Sequence, residues 1–174
     1  MEYPVKLFCV VAALALLASN PATAGNGSDS RLATPQIDAQ GMLVGATGVL
    51  VNGKRYDVTF QSATCNAQFD GCSRFDFGTM EEALAAAHAL LEQVFVGKYD
   101  LEPMLTRGCT EASVCIFAIP YSTTDTRVVR SVSCWNRAVA GYSNGDEPDG
   151  ARDSVIPVRG AMRPLPLPKF TPRP

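Results

Sequence analysis

Polar and apolar residues alternate strictly from Tyr56 to Phe60, with Arg55 and Gln61 continuing the polar set. A period of two marks a strand with one buried and one wet face. The apolar run Val49-Leu50-Val51 stands just before it, separated by Asn52-Gly53. That dipeptide accepts the positive φ angles of a type I′ turn, so the segment predicts a β-hairpin. The period then changes. Met80, Leu84, Ala87, Leu91, Val94 and Phe95 fall on one helical stripe, with Glu82, Ala86, Ala89 and Gln93 opposite. Thr79 is placed to cap this helix, Glu81 and Glu82 favour its positive first turn, and Gly97 ends it. Farther on, 114–121 reads as a strand apolar on both faces and therefore central. Ser122 to Asp125 is a turn, and 126–139 returns as a second strand. The order ββ, α, ββ predicts an α+β fold: one small antiparallel sheet built from two hairpins, with a single amphipathic helix on one face.

The flanks are of a different character. Residues 7–18 are apolar and uncharged, follow Lys6, and lead through Pro21 to Ala22-Thr23-Ala24 before Gly25. This is the layout of a cleavable secretory signal over residues 1–24. Twelve residues are too few for a span, which needs about 20, and no later segment is apolar enough to cross a membrane. Residues 25–40 read as a flexible lead-in, 41–143 as the single folded domain, and 144–174 as an acidic loop followed by a Pro-rich basic tail. Six prolines between Pro157 and Pro174 favour extended or disordered chain and oppose a place inside a sheet.

Charge sharpens this division. Residues 25–150 hold 15 acidic against 9 basic side chains, whereas 151–174 hold 5 basic residues against Asp153 alone. An acidic, exported domain gives no footing for nucleic acid. The basic tail reads as a solvated end, with binding to an anionic surface or an aromatic groove as the alternative. The partner expected from the sequence is another protein or a cell-surface component, in the periplasm or outside the cell.

In an oxidising compartment Cys65, Cys72, Cys109, Cys115 and Cys134 should pair, leaving one over. Proximity favours Cys65 with Cys72 and Cys109 with Cys115; Cys115 with Cys134 is the rival. The odd cysteine is expected as a buried thiol, with a disulfide-linked homodimer as the alternative. The spacings do not suit zinc, and no cofactor motif is present. Ser133-Cys134-Trp135 matches only a fragment of a thiol-protease motif and reads as a strand with a packed tryptophan. His88, the sole histidine, lies at the edge of the helical stripe and reads as a partly buried packing residue. The loop Asp146-Glu147-Pro148-Asp149-Gly150, with Asp153, lacks EF-hand spacing and reads as solvated rather than calcium-binding.

Residues from about Gly48 to Cys109 resemble part of a family of small exported bacterial proteins of unassigned function. The resemblance rests on the hairpin ending at Tyr56 to Phe60, the Cys-containing loop with Phe75 and Phe77, and the helix ending Gln93-Val94-Phe95. It implies export and a disulfide-stapled α+β fold, and brings no catalytic residues. Some members carry a PEP-CTERM sorting signal; the tail here has neither its hydrophobic segment nor its terminal arginine cluster. The function expected is an exported, non-catalytic binding or structural module. The alternatives are a small envelope hydrolase using two of Asp70, Asp76, Glu81 and Glu111 in a deep cleft, or an inhibitor of an extracellular enzyme presenting the Cys65–Cys72 loop.

Overall fold

A computed structural model describes residues 33–124, 128–138, 150–157 and 165–174. The expected signal segment, the first half of the lead-in and the acidic loop at 144–149 lie outside the described residues.

The predicted first hairpin forms from β2 (Leu43–Val51) and β3 (Lys54–Ala63). Asn52 and Gly53 take φ of 47° and 78° at its turn, as a type I′ geometry requires. Tyr56, Val58 and Phe60 are buried and face the core. At Gly45 the strands approach so closely that a Cβ would stand 2.2 Å from the Val58 carbonyl oxygen, which only glycine permits. The second hairpin is β4 (Val114–Thr123) with β5 (Val128–Arg137).

These hairpins do not share one sheet. The first belongs to a four-stranded antiparallel sheet of order β1-β2-β3-β7, where β1 is Thr34–Ile37 and β7 is Leu165–Pro172. The second is extended by β6 (Gly150–Pro157) into a three-stranded sheet of order β4-β5-β6. The fold is therefore mostly β, with one long helix. The central strand of the second sheet is β5, not the more apolar β4. The domain also does not stop at residue 143: the described chain from β1 to the end of β7 forms one compact unit. Part of the expected flexible lead-in is strand β1, and the basic tail supplies β6 and β7.

The prolines of β7 explain how a tail so rich in them joins a ladder. Phe170 donates its N–H to Asp76 Oδ2 (2.8 Å), away from β3, whereas Arg173 N–H reaches the Arg55 carbonyl (2.9 Å). Even-numbered positions of β7 thus point their nitrogens away from β3, and odd-numbered positions point theirs toward it. Pro166, Pro168 and Pro172 are all even, so none removes a donor from the β3 ladder. The outer edge of β7 is left with almost no donors. It runs beside β4, yet the two strands stay in separate sheets.

Helix α2 (Met80–Gln93) begins with a reciprocal cap. Thr79 Oγ1 accepts from Glu82 N–H (3.2 Å), and Glu82 Oε2 accepts from Gly78 N–H (3.0 Å). Its buried face is Ala83, Ala86, Ala87 and Leu90, continued by Val94. This face is rotated from the expected stripe: Met80 is exposed, and Ala86 and Ala89, expected outside, are buried. Alanines let the helix sit close against β2 and against β4, β5 and β6. The rotation also turns His88 out to solvent, correcting its reading as a packing residue. At the helix end, the Gln93 amide both donates to and accepts from the Leu50 backbone at 2.9 Å. It pairs with β2 beyond Thr47, the partner of the first β1 residue, Thr34.

Two aromatic groups fill the main core. Phe95 stacks on Phe117 (centroids 4.8 Å) and on Phe60 (5.5 Å), and Phe77 packs edge-on against Phe170 (4.9 Å) and near Tyr56 (5.6 Å). A second cluster joins Phe69, Leu167, Ala118, Val129 and Ile156 beneath the Cys65–Cys72 segment, which includes the short helix α1 (Cys65–Gln68).

The bridges are Cys65–Cys72 and Cys109–Cys115, with Cα atoms 5.4 and 5.3 Å apart. Each closes a short loop and contributes about 2 kcal/mol on the chain-entropy account. Cys115 stands opposite Asn136, while Cys134 stands opposite Phe117. This offset, together with the Cys109 partner, disposes of the rival pairing. Cys134 remains a thiol, fully buried, with Sγ 3.8 Å from the Ala87 carbonyl oxygen. It offers no surface sulfur for a disulfide-linked homodimer. Among the described residues no helix is long and apolar enough to cross a membrane.

Candidate functional site

The carboxylates singled out in the sequence do not converge on a cleft. Asp76 is only 10 % exposed and is spent on structure: it pairs with Lys169 and accepts the Phe170 N–H. Asp70, Glu81 and Glu111 are exposed. Other carboxylates are committed in the same way. Asp38 accepts from Gln40 and Met42 N–H (both 3.0 Å) and pairs with Arg107. These donors, Met42 foremost, hold its carboxyl below the usual range. Asp57 fastens the β2 bulge through Gly48 N–H (3.1 Å) and pairs with Arg173 (3.3 Å). Among the described residues no three His, Cys, Asp or Glu side chains gather in a way that could hold a metal. Trp135 is half-buried in β5, with Ile116 opposite and the Arg152 guanidinium 5.5 Å from its ring centroid; it is a packed strand tryptophan.

Among the described residues a concave feature lies elsewhere. An open groove of about 510 Å³ is lined by Thr124, Val128, Arg130, Asp153, Ser154 and Val155. Strand register assembles it. Arg130 stands opposite Val155, and Asp153 opposite Val132, two pairs along. Asp153 therefore lies diagonal to Arg130 on the same face and pairs with it. Tyr121, at the edge of the core, donates its hydroxyl to Asp153 Oδ1 (2.8 Å). The Arg130 guanidinium also lies over the Tyr121 ring, 5.8 Å from its centroid. Both oxygens of Asp153 are thus occupied by donors from two neighbouring strands.

The electrostatics follow from these contacts. The Tyr121 and Arg130 donors hold the Asp153 carboxyl below its ordinary range, so it is ionised at neutral pH. Burial first, and the hydrogen bond to Asp153 second, push the Tyr121 phenol up. The bond to Asp153 pushes the Arg130 guanidinium higher still. An ionised carboxylate with both oxygens engaged and a phenol held protonated make a poor acid–base couple. They make a good fixed support for the arginine.

Because the folded-state value of Tyr121 lies above the unfolded one, its contribution to stability is intact below about pH 10 and is lost as pH rises through the folded value. Equilibrium denaturation of wild type and Tyr121→Phe between neutral pH and strong alkali should show the wild type losing the larger share of its stability. Equal losses would remove Tyr121 from this account.

None of Tyr121, Arg130 and Asp153 stands out in the sequence as a functional residue. Asp153 does appear there, as a possible addition to the acidic loop, but its contacts are to Tyr121 and Arg130. The one visible signal is Arg130, a charge interrupting the apolar run Val128-Val129 and Val132. No family model, characterised protein or solved structure matches this chain.

Proposed function

We propose that the protein is an exported binding module without catalytic activity, acting in the periplasm or outside the cell, with the groove at Arg130 as its binding site. One observation supports this reading above the others: the four carboxylates that chemistry would need do not converge, Asp76 being spent on Lys169 and the Phe170 N–H while Asp70, Glu81 and Glu111 stand exposed. Asp38, Asp57, Asp76 and Asp153 each have identified donors, and the groove contains one ion pair rather than a pair of free carboxylates. The two disulfides suit an oxidising compartment, and residues 1–24 and the resemblance to exported proteins favour the same address.

The test is production of the chain from Met1 in a bacterial host, with thiols alkylated at harvest. The expected product is extracytoplasmic, begins near Gly25, and reacts at one thiol (Cys134) only after denaturation. It should hydrolyse no ester, glycoside or peptide panel. Retention of residues 1–24 on a cytosolic product would sink the export reading, and turnover that Asp153→Asn abolishes would sink the binding one.

A further inference from the structure

The donor inventory of the groove narrows its ligand, on the reading that the groove is a binding site. Arg130 has five N–H donors and no acceptor. Among the described residues one of its nitrogens, Nη2, is spent on Asp153 Oδ2. The remaining donors serve a side chain that is 46 % exposed and lines the groove. The guanidinium is nevertheless not mobile in the ordinary way of surface arginines. Asp153 holds one edge, the Tyr121 ring supports one face, and Tyr121 itself fixes Asp153. A planar fork already oriented loses little freedom on receiving a two-oxygen anion. Each Asp153 oxygen already accepts one donor, from Tyr121 and from Arg130, and the guanidinium charge beside it disfavours a ligand cation. Thr124 and Ser154 add polar groups to the wall, and its apolar part is Val128 on β5 with Val155, 64 % exposed and opposite Arg130 on β6.

We infer that the groove binds a small amphiphilic carboxylate, with the carboxylate on the open edge of the Arg130 guanidinium and an unbranched aliphatic chain along Val128 and Val155. Arg130 sets the charge class of the ligand and Val155 its apolar part. An amine meets the Arg130 charge, and a neutral chain leaves the open donors of the guanidinium without an anion. A very short acid forgoes the valine wall. Each methylene taken out of water multiplies affinity about fourfold, so two covered methylenes already separate a six-carbon acid from acetate by more than tenfold.

The probes are hexanoate, acetate and hexylammonium, titrated at constant ionic strength into the oxidised protein and followed by amide and arginine-side-chain NMR. Hexanoate should give saturable shifts centred on the Arg130 side chain and on the Ser154 and Val155 amides. Acetate should bind at the same residues more than tenfold more weakly, and hexylammonium should leave them unmoved. Val155→Ser, at an exposed side chain with little effect on folding, should weaken hexanoate several-fold and leave acetate unchanged. Arg130→Gln should abolish both, and Arg130→Lys, which keeps the charge without the fork, should retain only part. Hexanoate shifts that grow without saturating, or that survive Arg130→Gln, overturn the inference. A preference for hexylammonium overturns the ligand class while leaving the binding-module reading in place. That reading fails separately, on Asp153-dependent turnover.

Discussion

Phe117→Ala should cost about 3–5 kcal/mol of folding stability, the range for emptying a fully buried aromatic site. A domain of this kind is stable by only about 5–15 kcal/mol, so the loss is a large part of the whole. Phe117 is completely buried and occupies the point where the two sheets and the helical segment meet. Its ring stacks on Phe95, just past α2, at 4.8 Å, and tilts against Phe60 of the first sheet at 5.3 Å. Neither neighbouring ring can follow the vacated space without leaving another contact, because Phe60 is pinned to β3 and Phe95 to the end of α2. Its neighbour Ile116 points the other way and is 51 % exposed. Ile116→Ala should therefore change stability by less than about 1 kcal/mol. Urea denaturation checks both: the midpoint should fall steeply for Phe117→Ala and hardly for Ile116→Ala, with the slope unchanged in each. Comparable midpoints would mean that the aromatic stack does not join the sheets.

How much of this was legible in advance depended on the range of each interaction. The first hairpin could be read because Asn52-Gly53 and the alternation from Tyr56 to Phe60 are local. The Thr79 cap and the two short-range disulfides are local in the same sense. The helix face could not be read correctly because Ala83, Ala86, Ala87 and Ala89 carry too little hydrophobic bias to orient α2; its contacts with both sheets decide the rotation. The tail was misread for a different reason. Proline number argued against a sheet, whereas proline parity decided the outcome. Pro166, Pro168 and Pro172 recur at even positions, and Phe170, the even residue between them, hands its N–H to Asp76. The period was present in the sequence, but its meaning needed β3 as a partner. The groove was the least legible part. Tyr121, Arg130 and Asp153 come from three strands, and only the registers of β4, β5 and β6 bring them together.

The same parity argument yields the second large effect, at Asp76. Asp76→Ala should cost about 2–4 kcal/mol, below the full penalty for breaking a buried ion pair because Lys169 is one-third exposed. Two groups lose their acceptor at once. Lys169 keeps partial access to water and to the face of Phe69, 4.7 Å from its ring centroid, so its share is the smaller. Phe170 N–H has no such recourse: the residue is 2 % exposed, and an unpaired buried amide costs about 1–3 kcal/mol by itself. The variant pair Asp76→Ala and Lys169→Met, made singly and together, separates the two shares. If the ion pair were the whole effect, Lys169→Met would cost as much as Asp76→Ala, and the double variant no more than either. The arrangement predicts instead that Lys169→Met costs less than Asp76→Ala, because the Phe170 N–H still supports the stranded Asp76 carboxylate, and that the double variant keeps most of the Asp76→Ala loss as the share of the unpaired amide. Hydrogen exchange gives an independent reading, since loosening β7 should speed exchange at the odd-numbered amides Leu167, Lys169 and Thr171 while the β5 amides stay protected. Uniform acceleration across both sheets would mean that Asp76 supports the whole domain and not the outer edge of β7.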